Sequence, residues 1–215
     1  MLWQPSIPEH YHTLTEDQLN EQIEARRAQL GPSVVLLGHH YQMDNVVRHA
    51  DFMGDSLKLA QLASSVVEDR AKAGTPVSHI IFCGVHFMAE TADILTPDSV
   101  EVILPDLSAG CSMADMADYD QTVEAWELIH ESLKEQGWNG RVIPITYVNS
   151  TAAIKAFVGE HGGACCTSSN ADQVFKWAMD GGTVPKEPDE DIKILFLPDQ
   201  HLGRNTASAY GIDTD

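Results

Sequence analysis

Apolar positions along the chain fall into short dense runs separated by stretches with helical spacing. Val34-Val35-Leu36-Leu37-Gly38, His79 to Cys83, Val102-Ile103-Leu104, Val142 to Thr146, Ala164 to Cys166 and Ile192 to Leu197 read as strands. Runs with so little polar alternation suit strands of a parallel sheet, buried on both faces. Between them lie helices. Thr15-Glu16-Asp17-Gln18 is a capping box that starts a helix with Leu19, Ile23 and Leu30 on one side, stopped by Gly31-Pro32. Asp55-Ser56 opens a second helix, in which Leu59, Leu62, Ala63 and Val66 follow the i, i+3, i+4, i+7 pattern before Gly74. A short helix spans about residues 86–95. A long amphipathic one spans about 120–135, with Val123, Trp126, Ile129 and Leu133 inward. Two more short helices follow Thr151 and Asn170, the second ending near Met179. A polar loop from Gly181 to Asp191 leads to the last strand.

The resulting order is βαβαβ, a helix, then βαβαβ again. It suggests an internal duplication of a three-strand parallel unit, over residues 32–118 and 119–215. The expected fold class is therefore α/β: repeated three-layer units with short parallel sheets, a first unit over 1–118 and a second over 119–215. Functional residues in such units belong at the carboxyl ends of the strands.

Composition narrows the classes of function. A charge of −19 over 215 residues repels a phosphate backbone, so nucleic acid is not an expected partner, and any anion site must be built locally. No apolar run approaches the length of a membrane span. The N-terminus, Met1-Leu2-Trp3-Gln4-Pro5, has no basic segment leading into an apolar one, so the expected location is the cytoplasm, away from membranes. Disulfides are not expected there. The four cysteines contain no C-x-x-C pair. Cys83, Cys165 and Cys166 sit in apolar runs and read as buried small hydrophobes. Cys111 lies instead in the small-residue loop Leu107-Ser108-Ala109-Gly110-Cys111-Ser112, as nucleophile, metal ligand or bystander.

Three strand ends pass into helices through short polar residues: Ser56, Asn149-Ser150 and Ser168-Ser169. Such residues are either ordinary N-caps or parts of a phosphate- or carboxylate-binding site, because a helix N-terminus offers free N–H groups and partial positive charge. His39-His40-Tyr41-Gln42 follows the first strand directly, and Tyr147 takes the matching place in the second unit. These side chains can move protons, or they can be loop aromatics packed over the core edge. A zinc site from His39, His40, His49 and His86 lacks any supporting spacing.

Several stretches, in this order, resemble the quinolinate synthase family, the iron–sulfur enzymes of NAD biosynthesis. They are His39-His40-Tyr41, Gly54-Asp55-Ser56-Leu57, Gly84-Val85-His86-Phe87-Met88-Ala89-Glu90-Thr91-Ala92, Ala109-Gly110-Cys111-Ser112, Tyr147-Val148-Asn149-Ser150-Thr151-Ala152-Ala153, Thr167-Ser168-Ser169 and Pro198-Asp199-Gln200-His201-Leu202-Gly203-Arg204. The resemblance implies a pseudo-threefold arrangement of three α/β domains. Each would give one cysteine to a [4Fe–4S] cluster that acts as Lewis acid. The implied reaction condenses iminoaspartate, supplied by L-aspartate oxidase, with dihydroxyacetone phosphate, giving quinolinate, phosphate and water. By motif, Cys111 resembles the first cluster ligand. His39 and Ser56 resemble residues that bind the iminoaspartate or phosphate groups. Tyr147, Val148 and Asn149 would line the same pocket, Ser168 resembles a phosphate-contacting serine, and Tyr41 matches a tyrosine of proton transfer. His39, Tyr41 and Tyr147 are the implied catalytic set. Glu90 and Arg204 receive no role.

The resemblance also implies what the sequence lacks: the second and third cluster cysteines, a His-Pro-Glu stretch with a general base, and the third domain. The expectation is an incomplete, inactive fragment of the synthase. The competing expectation is a non-catalytic module that binds a small phosphate or dicarboxylate without a cluster. Other three-cysteine enzymes of similar build, of the diphthamide-synthesis or isoprenoid-reductase types, lack the Tyr-x-Asn-Ser stretch in this context.

Overall fold

The structure, a computed structural model, describes residues 4–213. The chain divides into two compact units, residues 1–110 and 111–215.

The first unit begins with α1 (Glu9–His12) and α2 (Glu16–Leu30), followed by β1 (Val34–His39), α3 (Asp44–Val47), β2 (Phe52–Gly54) and α4 (Ser56–Lys72). It closes with β3 (His79–Cys83), α5 (His86–Ile94) and β4 (Glu101–Ile103). All strands are parallel, in the order β2-β1-β3-β4. Central β1 sets His39 opposite Gly54 and Gly38 opposite Cys83, which brings the ends of three strands to one edge of the sheet. Val35, Leu37, Ile80, Phe82 and Phe87 are fully buried, as is Leu59 of α4. Each large apolar side chain hidden this way contributes about 1.5–3 kcal/mol.

The second unit holds α6 (Tyr119–Glu135), β5 (Gly140–Tyr147), α7 (Ala152–Glu160), β6 (Ala164–Cys166), α8 (Ala171–Met179), β7 (Asp191–Leu197) and α9 (Gln200–Tyr210). Its parallel sheet runs β6-β5-β7. Ile143, Ile145 and Ile192 pack on one side against Ala171, Phe175 and Ala178 of α8. Gly203 lets α9 settle on β7, since a Cβ there would stand 2.8 Å from the Phe196 ring.

The two sheets are α/β with parallel strands, as the periodicity indicated, but the units repeat differently from the pattern in the sequence. The first sheet has four strands. β5 corresponds to β1, β6 to the unforeseen β2, and β7 to β3, while β4 has no counterpart among the described residues. β2 offers only two apolar side chains, Phe52 and Met53, before Gly54, which is too little pattern to detect, and Gly203 interrupts the helical pattern of α9. α2 also differs: none of its residues is buried, and Ile23 is exposed. Polar links hold it instead. Arg27 donates to Asp51 at 2.6 Å, and buried His49 bridges Glu24 at 2.6 Å and Asn20 at 2.8 Å. The buried stripe of α4 is Leu59, Ala60, Ala63 and Val67, with Leu62 and Val66 at its half-buried margin. Of the cysteines read as buried, Cys166 is, Cys83 is half-buried, and Cys165 is exposed. β6 is an edge strand, so its alternate position faces out. Among the described residues, no helix is long and apolar enough to cross a membrane.

Candidate active-site loops

In the first unit the candidates gather where β1 and β2 end. His39 is buried on the last position of β1, and its ring lies 4.0 Å from that of Tyr41 and 4.3 Å from that of His40. The Tyr41 amide donates to His39 Nδ1 at 3.4 Å, so the neutral ring carries its proton on Nε2. Burial holds His39 below the ordinary imidazole range, with His40 adding to this and Asp55 opposing it. His40 Nδ1 donates to the Gly54 carbonyl at 3.2 Å, tying β1 to β2 beyond the ladder. Tyr41 is exposed. Ser56 is the first residue of α4, but Asp55 is the cap, its carboxylate accepting from the Lys58 amide at 2.9 Å.

In the second unit the candidates gather where β5 and β6 end. The Tyr147 phenol hydrogen-bonds to Ser168. Burial raises its pKa, the carboxylate of Asp199 raises it further, Ser168 opposes, and Cys166 and Cys111 add smaller upward pushes. Thus Ser168, Cys111 and Asp199 each act on the Tyr147 phenol, which stays protonated through neutral pH. Cys111 is half-buried at the start of this unit. The turn after Tyr147 is rigid. Fully buried Ser150 donates to the Tyr147 carbonyl at 2.8 Å and accepts from Thr146 at 2.9 Å. The Val148 amide donates to the Cys166 carbonyl at 2.8 Å. Val148 is buried and Asn149 half-buried. Here too the cap is a neighbour: Thr151 for α7, and Asn170 for α8. Asn170 makes no side-chain cap, because its Oδ1 accepts from the Thr167 amide at 2.7 Å, so α8 starts beside Ser168 without a side-chain acceptor.

Asp55 and Asp199 were not singled out as functional, yet each perturbs a candidate. Asp199 accepts from the His201 and Leu202 amides, both at 2.9 Å. The signal was present, since both precede a helix as Asp N-caps do. Asn45 Oδ1, unforeseen, and Nδ1 of His86, one of the four histidines of the zinc grouping, are buried without a partner among the described residues.

Among the described residues, no group of three or more His, Cys, Asp or Glu side chains can hold a metal ion. The four-histidine zinc grouping is not assembled, as His49 is engaged by Glu24 and Asn20. A cubane cluster needs several thiolates. Cys83 and Cys166 have raised pKa values from burial, that of Cys166 pushed up to about 12. Cys111 is the one thiol in a loop position, so the described residues alone do not fit an iron–sulfur cluster.

Residues 21–214 match the sequence model of the family described as Quinolinate synthetase A protein. The chain belongs to the quinolinate synthetase A family. It is 50% identical to the quinolinate synthase of Corynebacterium glutamicum over 99% of its own length and 48% of that protein's. The enzymes of the same name from Acidobacterium capsulatum and Herpetosiphon aurantiacus are each 53% identical, over 96% of this chain and 50% of theirs. The chain thus spans about half the length of the curated relatives it matches, all bearing the name of an enzyme.

Proposed function

We propose that this chain supplies part of a quinolinate synthase active site, for condensation of iminoaspartate with dihydroxyacetone phosphate to quinolinate, phosphate and water in NAD biosynthesis. One observation carries this reading: a protonated Tyr147 bonded to Ser168, with Cys111 in electrostatic reach, in a chain of this family. Ser168 and the start of α8 suit phosphate, because a helix N-terminus without a side-chain acceptor favours an anion. Tyr147 is a proton donor at neutral pH, and Asn149 on its rigid turn suits a carboxylate. Neutral His39 offers Nε2–H as donor, and Tyr41 and Ser56 stand beside it in sequence and strand register as proton carrier and hydroxyl donor. Cys111 is proposed as one thiolate of a [4Fe–4S] cluster completed by cysteines outside this chain. That cluster, when bound, supplies Lewis acidity. L-Aspartate oxidase is the proposed source of iminoaspartate, and the cytoplasm the proposed compartment.

A second reading, a small-anion binding module without a cluster, is favoured by the absence of three metal ligands among the described residues. Both readings predict that dihydroxyacetone phosphate shifts the amide resonances of residues 168–172, and that Ser168→Ala weakens this. Quinolinate formation separates them. If the chain, joined to the half of the Corynebacterium enzyme it does not match, binds the phosphate ester but forms no quinolinate, the module reading prevails.

A further inference from the structure

Lys155 is a cation in an unusual place. Lysines are scarce in this acidic chain, and Lys72 and Lys176 stand on exposed helix surfaces, paired with carboxylates one turn away. Lys155 is half-buried, as the fourth residue of α7. There it lies near the positive end of the helix dipole, which favours acidic side chains and disfavours a cation. Capping does not call for it either, since Thr151 already accepts from the Ile154 amide at 3.3 Å.

Its side chain turns back over the start of the helix, and the ammonium donates to the carbonyl of Ser150, five residues earlier. Ser150 is fully buried, and all three of its polar groups are engaged within the turn. Its N–H donates to the Val148 carbonyl at 2.9 Å, its hydroxyl donates to the Tyr147 carbonyl at 2.8 Å, and its carbonyl accepts from Lys155. A buried carbonyl that loses its donor is costly, and a charged donor makes a bond roughly twice as strong as a neutral one. The Lys155 charge also acts on the thiol of Cys165, which is the ladder partner of Thr146. The ammonium therefore reaches the margin between the turn and β6, where the Val148 amide is tied to Cys166.

We propose that Lys155 is a positioning residue: its ammonium locks the Ser150 carbonyl and so fixes the turn that presents the Tyr147 phenol and the Asn149 amide. Its part in the reaction rests on Tyr147 and Asn149 meeting substrate as set out under the function above. The lock itself rests on the hydrogen bonds of the turn.

The test uses the 215-residue chain with Lys155→Met, which keeps an apolar stem, and Lys155→Arg, which keeps a charged donor. Circular dichroism checks folding, and Lys155→Gln replaces Lys155→Met if that variant does not fold. Amide hydrogen exchange is read at Val148 and Ser150. Binding is read by amide resonances, with dihydroxyacetone phosphate followed at residues 168–172. L-Malate, a stable dicarboxylate with the four-carbon chain of iminoaspartate, is followed at Asn149. In Lys155→Met, exchange at Val148 and Ser150 should rise about tenfold, as for loss of a charged hydrogen bond, and the malate Kd should rise by a similar factor. The dihydroxyacetone phosphate Kd should stay as in the parent, and Lys155→Arg should restore both losses. Unchanged exchange at Val148 and Ser150 overturns the proposal, as does a failure of Lys155→Arg to restore it. Equal weakening of both ligands, or exchange that rises equally along α7, makes Lys155 a general stabiliser of the unit and also overturns it. A parent chain that shows no malate shift at Asn149 contradicts the carboxylate role of that residue instead, and the exchange comparison then decides the lock.

Discussion

At the residue scale, the environment of each polar group separates candidates that look alike in the sequence. Four cysteines are indistinguishable by composition, yet Cys165 is exposed and burial raises the thiol pKa of Cys83 and Cys166. The thiolate is the reactive form. Limited alkylation of the native chain at mildly alkaline pH should therefore modify Cys111 before buried Cys166, as read by peptide mass mapping. Labelling of Cys166 ahead of Cys111 would contradict the description of that loop. His39 yields a pH prediction. Its folded pKa lies below 6.5, so below that pH the unfolded chain binds a proton that the native ring resists. Stability from this group is thus complete above pH 6.5 and declines as pH falls toward the folded value. His39→Asn should flatten that acid limb in urea titrations. Sequence alone named His39, Tyr147 and Cys111, because each sits in a short, dense motif. Asp55 and Asp199 escaped, since a capping aspartate announces a helix start and not an influence on a ring in another strand's loop.

At the element scale, local signals did well where one strong pattern spans ten or more residues. The capping box of α2, the stripe of α4 and the length of α6 follow from spacing and caps, and Thr15, Asp55 and Asp118 accept the amides expected of them. The failures have physical causes. α2 repeats apolar residues at helical spacing, yet it is held by Arg27–Asp51 and His49, because long-range ion pairs leave no periodic trace. α9 was hidden by a glycine that serves contact and not a turn. Gly203→Val should therefore push α9 off Phe196. A cost of about 1–3 kcal/mol, as for overpacked cores, should appear in chemical denaturation. A variant as stable as the parent would mean that α9 does not rest on β7 this closely. For comparison, Phe82→Ala in the first sheet should cost about 3–5 kcal/mol.

At the scale of the whole molecule, composition and family decide most. A charge of −19 over 215 residues destabilises the compact state by self-repulsion, which salt screens. Raising ionic strength from a low value should raise the melting temperature of the chain, and a flat or falling dependence would show that the acidic groups are locally compensated. The pseudo-repeat was legible only in outline. Two α/β units could be counted, but pairing order depends on which strand lies centrally, and a three-residue strand such as β2 reorders the correspondence. Family membership extends over nearly the whole chain, whereas the catalytic assignment concentrates in Cys111 and the Tyr147 loop. The most direct measurement is therefore made on the chain joined to the unmatched half of the Corynebacterium enzyme, reconstituted anaerobically with iron and sulfide. Iron content and quinolinate formation are compared with and without Cys111→Ser. The account predicts that the parent fusion holds four irons per cluster and forms quinolinate, and that Cys111→Ser loses both. A Cys111→Ser fusion that keeps its full iron complement and its turnover would contradict it.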